Sequence, residues 1–110
     1  MTTAIIANLE KLLDGPRDNA LLRFSLGNEH LKAGDPALAA IRFGEAVARD
    51  AKFSAAWKLL GKALAESGQT AEALAAYERG IVVAKAKGDV QAAKEMAVFA
   101  RRLKKQLTGE

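Results

Sequence analysis

The sequence predicts an all-α chain: a solenoid of about six antiparallel helices forming one domain over residues 1–110. Composition and an internal repeat carry that reading. Half of the residues are hydrophobic, only 5% are aromatic, and alanine dominates the apolar fraction, which favours helices packed at close range over a thick core. Just two prolines, Pro16 and Pro36, interrupt the chain. The repeat is direct: "SLGNEHLKAG" at residues 25–34 returns as "LLGKALAESG" at residues 59–68, shifted by 34.

Aligning residues 20–53 with 54–87 extends the match. Leu26-Gly27 falls on Leu60-Gly61, Gly34 on Gly68, Ala39 on Ala73, Phe43 on Tyr77, Ala46 on Gly80 and Val47 on Ile81. The apolar positions follow helical spacing, and a glycine at 34 or 68 separates two such runs in each unit. Each unit therefore reads as two antiparallel helices joined by a tight turn. Gly34 suits a left-handed helix end, Asp35 a cap and Pro36 a first turn; Gly68 and Thr70 are expected to do the same in the second unit. Gly27 and Gly61 sit mid-helix, where glycine costs roughly 1 kcal/mol against alanine, so their recurrence implies close packing.

The flanks complete the stack. Residues 34 before the second helix of the first unit are Ile5, Ile6, Leu9, Leu12 and Leu13, all apolar, so residues 2–15 read as the second helix of a degenerate preceding unit. At the other end Asp89 caps a last helix over residues 89–107, whose Met96-Ala97 pair comes two residues late for a third Leu-Gly. It reads as a shifted first helix closing the stack, since such units need neighbours to bury their faces.

These positions resemble the tetratricopeptide repeat family, whose 34-residue pattern has a large residue, Leu-Gly, then Ala, an aromatic, Ala and Pro. Trp57, Leu60, Gly61, Leu64, Ala73 and Tyr77 match it in the second unit, and Leu26, Gly27, Ala39, Phe43 and Ala46 in the first. The chain departs from the pattern where Arg23 takes the place of Trp57, Gly80 that of the later Ala, and Ala51 and Lys85 that of the closing Pro. Phe24 is expected to cover the first loss, and the other changes to loosen the turns between units.

Catalytic chemistry has little to stand on. His30 is the one histidine, with no nucleophile or orienting carboxylate patterned around it, and a packing or surface role is expected. With no cysteine and one histidine neither a metal centre nor a disulfide is expected, and no cofactor motif appears. The Gly-Lys of "GKALAESG" lacks the spacing of a phosphate loop. The N-terminus shows no signal-peptide pattern and no segment approaches the ~20 apolar residues of a membrane span, so a cytoplasmic protein with no membrane partner is expected.

Binding is better supported. The resemblance implies that the first helix of each unit lines a groove for a peptide. Carried over by position, the lining residues are Leu21, Phe24, Asn28, Leu31 and Lys32, then Ala55, Lys58, Lys62, Ala65 and Glu66, with Lys94 and Arg101 if the last helix continues the groove. Asn28, Lys58 and Lys62 resemble part of the dicarboxylate clamp with which chaperone-binding members hold a peptide's C-terminal carboxylate, Lys62 standing where those have arginine. Trp57, Phe43 and Tyr77 are core by position. The net charge of +4 is uneven, with six Lys/Arg against seven Asp/Glu in residues 1–50 and eleven against six thereafter. A groove apolar at one end and basic at the other suits an acidic amphipathic peptide or a free C-terminus. The reading is thus a protein-interaction module, not an enzyme, that binds a protein or peptide partner. Self-assembly into a homo-oligomer is the alternative; nucleic acid, encouraged by a pI of 9.6, lacks aromatics interleaved with the basic residues.

Overall fold

The computed structural model describes residues 2–109 and, among them, six helices and no strand: α1 (Thr2–Glu10), α2 (Ala20–Lys32), α3 (Pro36–Arg49), α4 (Ser54–Glu66), α5 (Thr70–Ala86) and α6 (Val90–Thr108). Each helix packs on its successor, and α4 also touches α6. The stack measures 44 × 29 × 19 Å. It is the expected all-α solenoid, with α2–α3 and α4–α5 as the two repeated pairs.

The turns inside and after the repeated pairs share one geometry. Gly34 and Gly68 take positive φ angles of 80° and 83°, a region closed to most side chains. The chain then folds back so that Asp35 N donates to His30 O (2.9 Å) and Gln69 N to Leu64 O (2.8 Å), satisfying carbonyls the helix end leaves open. Asp35 Oδ1 accepts from Leu38 N at 3.2 Å and Asp89 Oδ1 from Ala92 N at 3.1 Å, as expected of caps. The second unit differs: Thr70 is already helical, and the preceding Gln69 makes no side-chain cap bond.

The N-terminal helix is shorter than the expected 2–15. It ends at Glu10, and Leu12 N→Leu9 O and Leu13 N→Glu10 O (3.0 and 3.1 Å) tighten the chain into turns. Asp14 then adopts φ 64°, its amide held by Asp18 Oδ2 at 2.8 Å. Pro16 disfavours helical geometry at Gly15, so Leu12 and Leu13 lie in the turn and are half-buried there.

Close packing explains the glycines. A Cβ at Gly27 would lie 2.6 Å from Phe43 Cδ1, and one at Gly61 would lie 2.7 Å from Tyr77 Cε1. Phe43 and Tyr77 therefore rest on bare backbone, the reason the expected mid-helix glycines recur in both units. Gly80 does not loosen the stack. A Cβ there would meet Met96 Sδ at 2.5 Å and Trp57 Cβ at 2.9 Å, so the glycine admits α6 and α4 at close range. His30 is buried, consistent with a packing role.

Arg23, in the place of Trp57, is also buried, and it is kept charged by carboxylates rather than replaced by Phe24. Its Nε donates to Asp18 Oδ1 and its Nη1 to Glu45 Oε1, both at 2.9 Å. Glu45 also accepts from Arg42 Nη1 at 2.9 Å, and Arg49 Nη2 stands 3.9 Å from Asp18. Phe24 packs the other way, its ring 4.7 Å from Phe53 and 5.7 Å from Phe43.

Candidate functional site

On α4 the buried residues Ala56, Leu60 and Ala63 face the neighbouring helices, which turns Lys58 and Lys62, one turn apart, to the opposite side. On α6 the buried stripe Ala93, Met96, Ala100 and Leu103 leaves Glu95 and Phe99 on the flank toward α4. Between the two helices lies a hollow of about 540 Å³, lined by Lys58, Leu59, Lys62, Ala65, Glu66, Tyr77 and Phe99.

Its floor is aromatic. Tyr77, only 3% exposed, reaches through from α5 against Gly61 and stacks on Phe99 with centroids 5.5 Å apart and planes 26° from parallel. Burial, helped by the Glu66 carboxylate, pushes the Tyr77 phenol up to about 12, so it stays a neutral donor and acceptor. Phe99 is 37% exposed, and the Arg102 guanidinium lies over its ring at 5.8 Å.

The charges balance. Lys58 Nζ donates to Glu95 Oε1 at 2.8 Å, and Glu66 stands on the rim with Lys62. Lys62 is exposed and makes no ion pair with the described residues. The basic end expected from sequence is thus partly neutralised: Glu66 stands one turn beyond Lys62 on α4, as its spacing places it, whereas Glu95 meets Lys58 only through the placement of α6. Such a surface excludes water with aromatic and aliphatic area and offers one free ammonium. It holds a side chain or a short segment; it carries no nucleophile–base pair for chemistry.

Of the predicted groove residues, Lys58, Lys62, Ala65 and Glu66 line the hollow, while Ala55 is exposed at the start of α4 outside it. Leu21 is 61% exposed on α2, Asn28 is half-buried there, and Lys32 pairs with Glu29 at 3.2 Å. Phe24 and Leu31 pack against the core that contains Phe43 and Leu60. Lys94 lines a different hollow with Ile81, Lys85 and Val90. Arg101, seven residues on, shares its face of α6, turned away from Phe99. Two lining aromatics were missed. Tyr77 passed for core alone, although it is both core and floor. Phe99 stands off the buried stripe of α6, and that offset was the available signal.

Among the described residues no group of His, Asp and Glu could hold a metal ion, and no helix is long and apolar enough to cross a membrane.

Stacked helix pairs with a hollow between successive first helices define a helical-repeat scaffold. No family model matches the chain. A tetratricopeptide repeat-containing protein of Pseudomonas aeruginosa is 49% identical over 104 residues, covering 94% of this chain and 99% of that protein. The solution structure of a Bordetella parapertussis protein superposes with a TM-score of 0.77 at 39% identity, over 93% of this chain and 89% of that one. A tetratricopeptide repeat domain protein from Salinibacter ruber follows at 0.71 and 28% identity, over 82% and 90%. The chain belongs to the tetratricopeptide repeat family. Domains of this type mediate protein–protein interaction.

Proposed function

We propose that this protein is a non-enzymatic docking module whose hollow between α4 and α6 holds a segment of a partner protein. The observation that supports this reading is the exposed edge of Phe99, stacked on buried Tyr77 and bordered by Lys62. An aromatic held rigidly by a second ring, with part of its area open to solvent, makes a preorganised apolar anchor point. The segment that fits carries an aliphatic or aromatic side chain for that floor and a carboxylate, from a side chain or a chain terminus, within reach of Lys62. Lys58 joins in binding only by exchanging its bond to Glu95 for one to the partner. Repeated units 1 and 2, residues 20–53 and 54–87, are the framework, with the N-terminal segment and α6 as flanking caps.

The test places a photocrosslinking residue at Ala65 in the native host, with the same residue at Ile41 on α3 as control. Adducts from position 65 that disappear in a Lys62→Glu/Phe99→Ala background support the hollow. Equal labelling from position 41, or adducts indifferent to the two substitutions, removes it.

A further inference from the structure

The larger unbalanced positive charge lies on another face. A second hollow of about 610 Å³ opens between the turn that precedes α4 and the far side of α5, and it shares no lining residue with the first. Its floor is Val82 and Val83, and its rim carries Lys52, Arg79 and Lys87. At about 100° per residue these α5 positions lie across the helix from Tyr77. Val82 is 65% exposed. The rim is held in place: Trp57 Nε1 donates to Ala51 O at 2.8 Å, Lys87 Nζ donates to Lys52 O at 3.1 Å, and Arg79 covers the Trp57 ring at 5.8 Å.

The repeat supplies an internal comparison. Thirty-four residues earlier, the counterparts of Lys52 and Arg79 are Asp18 and Glu45. Beside α2 and α3 those two carboxylates neutralise Arg23, Arg42 and Arg49. Beside α4 and α5 both have become cations, and the counterpart of Arg49 is Val83. None of Lys52, Arg79 and Lys87 forms an ion pair with a described residue. Asp50, on the same turn, binds the backbone amide of Lys52 instead.

We propose that this second hollow is a docking surface for an acidic peptide segment that brings the carboxylates this face lacks, with an aliphatic side chain on Val82 and Val83. Three cations without lining carboxylates select the charge; the valine floor selects an aliphatic side chain over a phosphate chain. Nucleic acid is disfavoured because no aromatic ring lines this hollow for base stacking, the neighbouring Trp57 meeting it only through Arg79, which covers one face of the indole. The proposal stands independently of the hollow between α4 and α6.

The test is an amide-shift titration of the labelled protein with a synthetic helical peptide, blocked at both ends, carrying leucines on one stripe and glutamates beside it. Shifts centred on Lys52, Arg79, Val82, Val83 and Lys87 are expected. Replacing the peptide's glutamates by glutamine, or using the Lys52→Glu/Lys87→Glu variant, is expected to weaken binding by about tenfold or more, with melting unchanged. Arg79 is left in place because it covers Trp57, and Lys52→Gln/Lys87→Gln serves if the reversal impairs folding. Shifts centred on Leu59, Lys62 and Phe99, equal affinity for the glutamine peptide, or no shifts overturn the proposal. So does a twelve-nucleotide oligothymidylate that saturates the site while the peptide does not.

Discussion

Arg23 Nη1 lies 2.9 Å from Glu45 Oε1, and the residues 34 positions on, Trp57 and Arg79, also meet, the guanidinium 5.8 Å above the indole. The same two places in the repeat thus join α2 to α3 by an ion pair and α4 to α5 by a cation–π contact. In one unit the cation comes from the first helix, in the other from the second. The exchange converts a buried network into an open, cation-rimmed hollow.

Removing Arg23 should be costly. Arg23→Ala strands Asp18, whose side chain is 8% exposed, and strips Glu45 of one of its two arginines. A loss of about 3–5 kcal/mol is expected by urea unfolding. Arg23→Lys keeps the charge but not the fork that reaches Asp18 and Glu45 together, and should recover only part of it. A loss below about 1 kcal/mol for Arg23→Ala would show that the network does not support the fold.

The same network sets an acid limit. The hydrogen bond from Arg23, then the backbone amide of Asp14, hold the Asp18 carboxyl down at about 2, against an ordinary 3.8. Burial opposes ionisation of Glu45, yet hydrogen bonds from Arg42 and Arg23 prevail and keep it below its usual range. The unfolded chain therefore takes up protons first as pH falls, and stability is lost between about pH 4 and 2. Urea midpoints followed from pH 7 to 2 should fall less steeply in that window for Asp18→Asn. Parallel curves would assign the acid limit elsewhere.

Tyr77 gives the opposite limb. Its phenol is raised from 10.0 to about 12, so the folded state retains a proton that the unfolded chain releases. The contribution is present below pH 10 and lost as pH climbs toward 12. Absorbance titration of the folded protein should show this tyrosine ionising well above pH 10; ionisation at 10 would mean the ring is not buried against Gly61.

One substitution should have two signs. Gly27→Ala and Gly61→Ala drive a methyl into Phe43 and Tyr77, an overpacking cost of about 1–3 kcal/mol that outweighs the helix-propensity gain. Gly44→Ala on α3 meets nothing within 4 Å and should instead stabilise by about 0.5–1 kcal/mol. Melting temperatures of the three variants check both at once. A destabilised Gly44→Ala would place that face of α3 against something the chain does not contain.

The sequence by itself determined the helical stack, the 34-residue unit, the glycine-terminated turns and the caps at Asp35 and Asp89. These follow from local periodicity and from backbone chemistry that a few neighbouring residues decide. The mid-helix glycines were legible too, because a cost of roughly 1 kcal/mol repeated at one spacing needs a packing partner. Where the N-terminal helix stops was less legible: its apolar pattern runs on through Leu13, but Pro16 and the Asp14 amide bound to Asp18 end it at Glu10. The candidate site was decided by the tertiary structure. Lys58 and Lys62 were placed on the right face by helical spacing, but their charge balance depends on Glu95, thirty-seven residues beyond Lys58, and their floor on Tyr77 and Phe99. The rotation of α6 against α4 leaves Lys94 and Arg101 off that face and puts Glu95 and Phe99 on it. Electrostatic and aromatic contacts form between helices whose relative rotation a repeat pattern leaves open, and close packing at Gly61 and Gly80 sets that rotation.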